Sequence, residues 1–374
     1  MAHLDRCTPD GAFSLSQLLA EDPHPQRPQQ KYASLYSDLL HTVRDLGLLR
    51  RRYTYYWTRI GLVLAALGGV ITGFILLGDS WFQLLMAGAL ALILVQVAFL
   101  SHDSAHRQIF HSAAWNDWTA RLLAGGLAGM SITWWKNKHS KHHNAPNQLG
   151  KDPDIAIGVV AFTPDHAAKR KRGFMKWYQD RQGWLFFPLL TLEGLSLHVS
   201  SLQHLFRRGA TKVERVEAAV VVSRLGLYVT ALYVVLPLGK ASAFLGLQLA
   251  VFGVCLGGSF APNHKGMPLV PATMKIDFLR RQVLMSRNIR GGVLTDFAMG
   301  GLNYQIEHHL FPSMPRPTLR QVQPIVREYC QLHGVKYTEV AFLESYKIVV
   351  DYLNNVGLRA RDPFACPLVS QYRK

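Results

Sequence analysis

Two long apolar runs dominate the first third of the chain. Residues 60–78, IGLVLAALGGVITGFILLG, and 81–100, WFQLLMAGALALILVQVAFL, carry no charge and are separated only by Asp79 and Ser80. About twenty uncharged residues is what a helix needs to cross the hydrocarbon core, so the pair predicts a transmembrane hairpin. A second pair, 218–238 and 241–262, turns tightly at Gly239 and Lys240 and carries Arg224 in its first helix. A further apolar stretch, 184–206, contains Pro188, Glu193, His198 and His204. Those polar positions predict an interfacial or buried helix rather than a fifth crossing.

Charge orients the spans. Arg50, Arg51, Arg52 and Arg59 precede the first one, and the segment 101–217 is rich in Lys and Arg, whereas the two hairpin turns carry almost none. The positive-inside rule then places both termini and the middle segment in the cytoplasm. The first thirty residues are polar and Pro-rich, without an apolar signal core. The reading is an all-α, multi-pass protein of the cell membrane with four transmembrane helices in two hairpins and a cytoplasmic helical cap. It divides into an N-terminal cytoplasmic segment 1–59, a main domain 60–345 and a C-terminal cytoplasmic tail 346–374.

A formal charge of +17 and a pI near 9.9 invite a nucleic-acid partner. A soluble nucleic-acid binder has no use for several apolar stretches of spanning length, so the charge reads as topology and no nucleic acid is expected. The cysteines, Cys7, Cys255, Cys330 and Cys366, are scattered without a CxxC pair, which indicates neither a zinc site nor a disulfide framework.

The 16 histidines change the picture, because eight of them fall in four short clusters. HDSAH places His102 and His106 four apart, directly after the second span; that spacing stacks two imidazoles on one helix face. HSKHH adds His139, His142 and His143 at i, i+3 and i+4. QIEHH repeats the geometry with Gln305, His308 and His309, an amide taking the first place. His264 stands at the end of the fourth span. Ligands of one centre must lie on one side of the membrane. With four spans they do; a fifth crossing at 184–206 would separate the first five histidines from the last three. Eight imidazoles and one amide exceed what a single tetrahedral ion uses and suit two metals. Ligand type alone leaves Zn, Cu, Fe and Ni open.

HxxxH, HxxHH and QxxHH, interleaved with two transmembrane hairpins, resemble the membrane fatty acid desaturase family. The segment 303–319, NYQIEHHLFPSMPRPTL, is similar to the third histidine box of acyl-lipid and acyl-CoA desaturases, especially actinobacterial ones, and the likeness runs over roughly residues 60–345. It implies a di-iron centre held by His102, His106, His139, His142, His143, His308 and His309, with His264 as the extra histidine after the fourth span. Gln305 stands where stearoyl-CoA desaturases carry a histidine, and is a weak ligand, a water-mediated one or a donor beside the metals. The implied reaction inserts a cis double bond, Δ9 or Δ6, into a fatty acyl chain, with acyl-CoA preferred over acyl-lipid and O2 as co-substrate. No HPGG haem motif occurs, so electrons are expected from a separate ferredoxin or flavin-dependent reductase, steered by the basic loops.

Asp103, Asn144 and Glu307 adjoin ligands and are candidates for orienting their rings. Trp134, Trp135 and Tyr304 are candidate lining groups, with interface anchoring as the alternative. His3, His24, His41, His166 and His333 read as solvated, and His111, His198 and His204 as possible partners of the ligands. A di-iron hydroxylase or ketolase, a zinc hydrolase and a non-enzymatic scaffold are the rival readings. No HExxH pair supports the hydrolase.

Overall fold

Helices make up most of this computed structural model, which describes residues 34–156, 158–169 and 173–358. The expected features at 1–33, 170–172 and 359–374, with Cys7, Cys366, His3 and His24, lie outside the described residues.

A short helix α1 (Ser34–Asp45) leads into the first hairpin, α2 (Tyr53–Leu77) and α3 (Gln83–Ala105). α4 (Ala113–Arg121), a π-helical turn at Leu122–Ala128 and α5 (Ile132–Asn144) follow. After α6 (Pro164–Ala168) and α7 (Phe174–Asp180) come α8 (Gln182–Leu190) and α9 (Glu193–Leu205). The second hairpin is α10 (Lys212–Val235) and α11 (Leu238–His264). The remainder is α12 (Phe278–Leu284), β1 (Asn288–Arg290), α13 (Val293–Ala298), α14 (Gln305–Leu310), α15 (Arg316–Leu332), β2 (Glu339–Ala341) and α16 (Phe342–Leu358).

Among the described residues, the four helices each long and apolar enough to cross a membrane are α2, α3, α10 and α11, as the apolar runs predict. Each ends some residues from where those runs do, because capping and not hydropathy terminates a helix. Gly78, at φ +50, stops α2. A capping box starts α10 at Lys212: the Thr211 side chain accepts from the Glu214 amide, and Glu214 Oε2 accepts from the Thr211 amide at 2.8 Å. α3 and α11 instead run past their apolar stretches, and so carry His102 and His264 on the spans' own helices.

The stretch 184–206 is two helices, α8 and α9, bent by 70°. α9 lies backbone-to-backbone on α11. A Cβ on Gly253 would sit 2.4 Å from the Leu190 carbonyl and 2.5 Å from the Gly194 nitrogen, so glycine is required at that approach. Further along α11, Pro262 has no N–H to give the Gly258 carbonyl. The Tyr346 hydroxyl, from α16, donates to that carbonyl at 3.1 Å.

α16 crosses the expected boundary at 345 and is part of the packed body up to residue 358: Val349 and Leu353 are buried with Phe186, Leu190 and Ala261. Two larger cores frame the site. One joins α2, α3 and α11 through Leu94, Val95, Phe99, Phe252 and Leu256. The other joins α1, α12, α14 and α15 through Leu39, Val43, Leu310, Val322 and Tyr329. β1 and β2 form a short parallel pair.

Candidate metal centre

Each histidine cluster is brought in by a helix that something else anchors. α5, with three of the rings, starts at Ser131 as N-cap. The buried Glu217 of α10 accepts there from Ser131 Oγ at 2.6 Å, from the Thr133 amide at 3.1 Å and from Thr133 Oγ1 at 2.5 Å. A carboxylate at a helix N-terminus complements the dipole and occupies donors the helix leaves free. α14 is held by Glu307, which accepts from Asn288 Nδ2 and the Tyr337 hydroxyl, both at 2.7 Å.

All eight clustered histidines converge, including those 165 residues apart in the chain. Two groups have ring nitrogens close enough to share an ion: His102, His106, His139 and His308, and beside them His142, His264 and His309. His143 stands between the groups. Its Nε2 is 2.9 Å from that of His139 and 3.2 Å from that of His308, while its ring stacks on His309 at 4.2 Å. Facing Nε2 atoms recur at 2.9 Å between His106 and His139 and 3.2 Å between His142 and His264. Neighbouring ligands bound at about 2.0–2.1 Å to one ion stand roughly 3.0–3.4 Å apart, so these separations suit a shared cation. His102 Nε2 and His309 Nε2 are buried without any partner, an arrangement native interiors avoid unless something fills the site.

The outward nitrogens fix the tautomers. His142 Nδ1 faces Asp152 at 3.0 and 3.1 Å, His264 Nδ1 the Met285 carbonyl at 2.9 Å, and His309 Nδ1 Gln282 Oε1 at 2.9 Å. An acceptor at Nδ1 keeps the proton there and turns the Nε2 lone pair inward. Burial first, and neighbouring imidazoles second, hold His106, His139, His143, His308 and His309 well below the usual histidine range. His142 is the exception. Burial depresses it too, but the Asp152 hydrogen bond and the Asp154 and Asp152 charges outweigh that. Neutral, inward-facing rings are what a divalent ion binds.

Gln305 is 2% exposed and presents its amide nitrogen to His264 Nε2 at 2.9 Å. Asn263 sets this orientation. Its Nδ2 donates to the Ser259 and Leu302 carbonyls and to Gln305 Oε1, at 3.0, 3.1 and 3.1 Å, which turns the glutamine's NH2 inward.

Of the residues flanking ligands, Asp103 reaches His102 Nδ1 at 3.5 Å and pairs with Arg316 at 2.6 Å. Glu307 serves α14 and touches no ring in this network. Asn144 is exposed, and its carbonyl accepts from Arg281. His198 links the Gly194 and Ala128 carbonyls, His204 binds Glu214 at 3.1 Å and His111 is exposed, so none of the three joins the cluster. Sequence reasoning missed Asp152, Gln282, Met285 and Asn263. Only Asp152 had a local signal, as the helix-capping Asp of the DPD turn nine residues after His143.

A cavity of about 650 Å³ opens on these rings, within the size of small-molecule sites. His102, His139, His142 and Gln305 form one wall, and Trp134 and Trp135 line it, whereas Tyr304 does not. Its apolar walls come from α3, α5, α8, α9 and α11, and its polar edge holds Lys138, Asp154, Glu193 and Lys265. The convergence of His143 and His264 fits an even number of crossings between them, which α10 and α11 supply without the bent pair α8–α9.

A four-span helical body thus carries a histidine cluster able to hold metal beside an apolar cavity. The fatty acid desaturase family model matches residues 79–341, and the chain belongs to that family. It is 30% identical over 284 residues to an acyl-lipid (9-3)-desaturase of Physcomitrium patens, covering 74% of this chain and 54% of that protein. It is 27% identical to a Delta(6)-fatty-acid desaturase of Caenorhabditis elegans, covering 88% and 76%, and 27% identical to a Delta(8)-fatty-acid desaturase of Borago officinalis, covering 89% and 77%. The chain thus spans about half the length of the first of these relatives.

Proposed function

We propose that this protein is an O2-dependent fatty acyl desaturase that places a cis double bond in a chain lying in the 650 Å³ cavity. The observation that carries the reading is the contact between that apolar cavity and two adjoining groups of inward-facing imidazoles. His102, His106, His139 and His308 would hold one iron and His142, His264 and His309 the other, with His143 between them. Gln305 stands beside the metals: its inward NH2 has no lone pair to give an ion, and the His264 Nε2 lone pair it faces at 2.9 Å would pass to the metal. Two bound irons supply the oxidising power that O2 needs to take hydrogen from an unactivated methylene. Each turnover consumes O2, two electrons and two protons, removes one hydrogen from each of two adjacent methylenes and yields an alkene and two waters.

The protein's own part is positioning and exclusion. Trp135 stacks on His139 at 4.2 Å and, with Phe260 and Leu256, presents an apolar wall to the chain. The Lys138–Asp154 pair, 2.9 Å apart, marks the polar edge where the head of the substrate would stay. The Delta(6) and Delta(8) names of relatives favour a bond near the carboxyl end, at Δ9 or Δ6. Acyl-CoA is the proposed carrier, with acyl-lipid second. The metal side and both termini are assigned to the cytoplasm of a cell-membrane protein, and a ferredoxin or flavin-dependent reductase is the assigned electron donor.

The test is expression in a host lacking the activity, with new double bonds located by mass spectrometry and iron counted per chain. A new alkene, lost together with iron in His142→Ala and His308→Ala, is the expected result. A hydroxylated product would reassign the chemistry, and activity surviving both substitutions would end the metal reading.

A further inference from the structure

A second, smaller cavity of about 210 Å³ lies beyond the end of α11, lined in part by Gly266, Met267, Arg287, Lys336 and Thr338. It adjoins the acyl cavity across the turn 265–267, whose Lys265 lines the larger space. Arg287 is only 1% exposed. Its Nε donates to the Pro262 carbonyl at 2.9 Å, and its Nη2 to the carbonyls of Pro262 and Lys265, which caps the end of α11. Nη1 is left with the Met267 thioether at 4.0 Å, a weak acceptor.

No carboxylate among the described residues lies within 4.0 Å of this guanidinium; the arginine ion pairs belong to Arg207, Arg280, Arg316, Arg320 and Arg327. Lys336 is exposed at the rim and has no carboxylate partner there either, and no acidic residue lines the cavity. Glu344 is the acidic residue whose charge acts on Arg287, from beyond contact distance; a buried cation without a contacting counter-ion is costly unless an anion joins it. Arg287 Nη1, held only by a thioether, together with Lys336 and Thr338 around one half-open cavity, matches a tetrahedral oxyanion.

We propose that this cavity is a phosphate subsite, taking a phosphate of the molecule that carries the acyl chain; in that second clause the inference rests on the desaturase reading above. A nucleotide-bearing thioester carrier and a glycerophospholipid share this chemistry.

The experiment uses the full chain, iron-loaded, in a non-ionic detergent. Binding of inorganic phosphate, adenosine 3′,5′-bisphosphate and glycerol 3-phosphate is measured by calorimetry for the wild type, Lys336→Glu, Thr338→Ala and Arg287→Lys. Because Arg287→Lys also disturbs the cap of α11, the two rim variants keep the test readable if it fails to fold. Saturable, salt-sensitive phosphate binding is expected, weakened at least tenfold in Lys336→Glu with iron content unchanged. Tighter binding of the bisphosphate assigns the nucleotide carrier, and tighter binding of glycerol 3-phosphate the lipid. Folded wild type that binds none of the three, or rim variants that bind like the wild type, overturns the subsite. Desaturation without phosphate binding refutes this inference alone; phosphate binding by a protein that makes no alkene refutes only the function.

Discussion

Replacing Asp152 by Asn tests whether the outer partners of the rings govern metal affinity. Asp152 is 3% exposed and accepts four contacts: both oxygens from His142 Nδ1, Oδ2 from the Asn147 amide at 2.8 Å, and Oδ1 from the Asp154 amide at 2.9 Å. An asparagine keeps one acceptor and turns an NH2 toward a donor, leaving one buried backbone N–H unpaired at a cost of about 1–3 kcal/mol. It also withdraws the negative charge that makes His142 the more basic ring. Partners of this kind change metal affinity by roughly 10–100-fold, or about 1.4–2.8 kcal/mol at 1.4 kcal/mol per decade. The assay is iron retained per chain during dialysis against graded chelator, with thermal melting as the control for folding. Asp154→Asn is the internal comparison: Asp154 stands 3.5 Å from His142 Nδ1, is 36% exposed and pairs mainly with Lys138, so a loss under about threefold is expected by the modest worth of exposed pairs. Iron retention in Asp152→Asn within twofold of the wild type would refute the reasoning.

Stripped of metal, the protein should lose stability as pH falls. The unfolded chain binds protons on histidine near pH 6.5, while five buried rings outside the spans do not, so the native state is fully favoured above that pH and loses up to about 1.4 kcal/mol per pH unit per ring below it. A melting temperature that does not change between pH 7.5 and 5.5 would contradict this. Gly253→Ala forces a methyl against the Leu190 carbonyl and should destabilise by about 1–3 kcal/mol, read as a lower melting temperature, with activity falling as α9 is pushed off α11. Glu217→Gln removes a charged acceptor of three hydrogen bonds at the start of α5 and should cost about 1.5–3 kcal/mol and some bound iron, whereas unchanged iron and melting would mean that α5 needs no anchor.

The four spans and the three histidine spacings were legible because each is a local property. An apolar run is favoured in lipid whatever else surrounds it, and i, i+3 and i+4 share a helix face in any helix. Pairing of His142 with His264, 122 residues apart, is of another kind; membrane sidedness implied only that they share a face, and the fold supplies the 3.2 Å contact. Asp103 was readable as a neighbour of His102. Gln282 and the Met285 carbonyl were not, because nothing in their own segments marks a ring's partner, and Asp152 offered only the capping Asp of its DPD turn. Glu307 misled for the same reason: adjacency along a helix turned it away from the rings and toward Asn288 and Tyr337.

By itself, then, the sequence determined that the chain enters the membrane in two hairpins, which residues could ligate metal and that they share a side. Only the tertiary structure decided the division into two ion-sized groups, the 70° bend of 182–205, the inclusion of 346–358 in the body, the inward NH2 of Gln305 and the two cavities. Those features arise where backbones meet at Gly194 and Gly253 and where Asn263 orders its neighbours, through contacts between segments that no single stretch of sequence encodes.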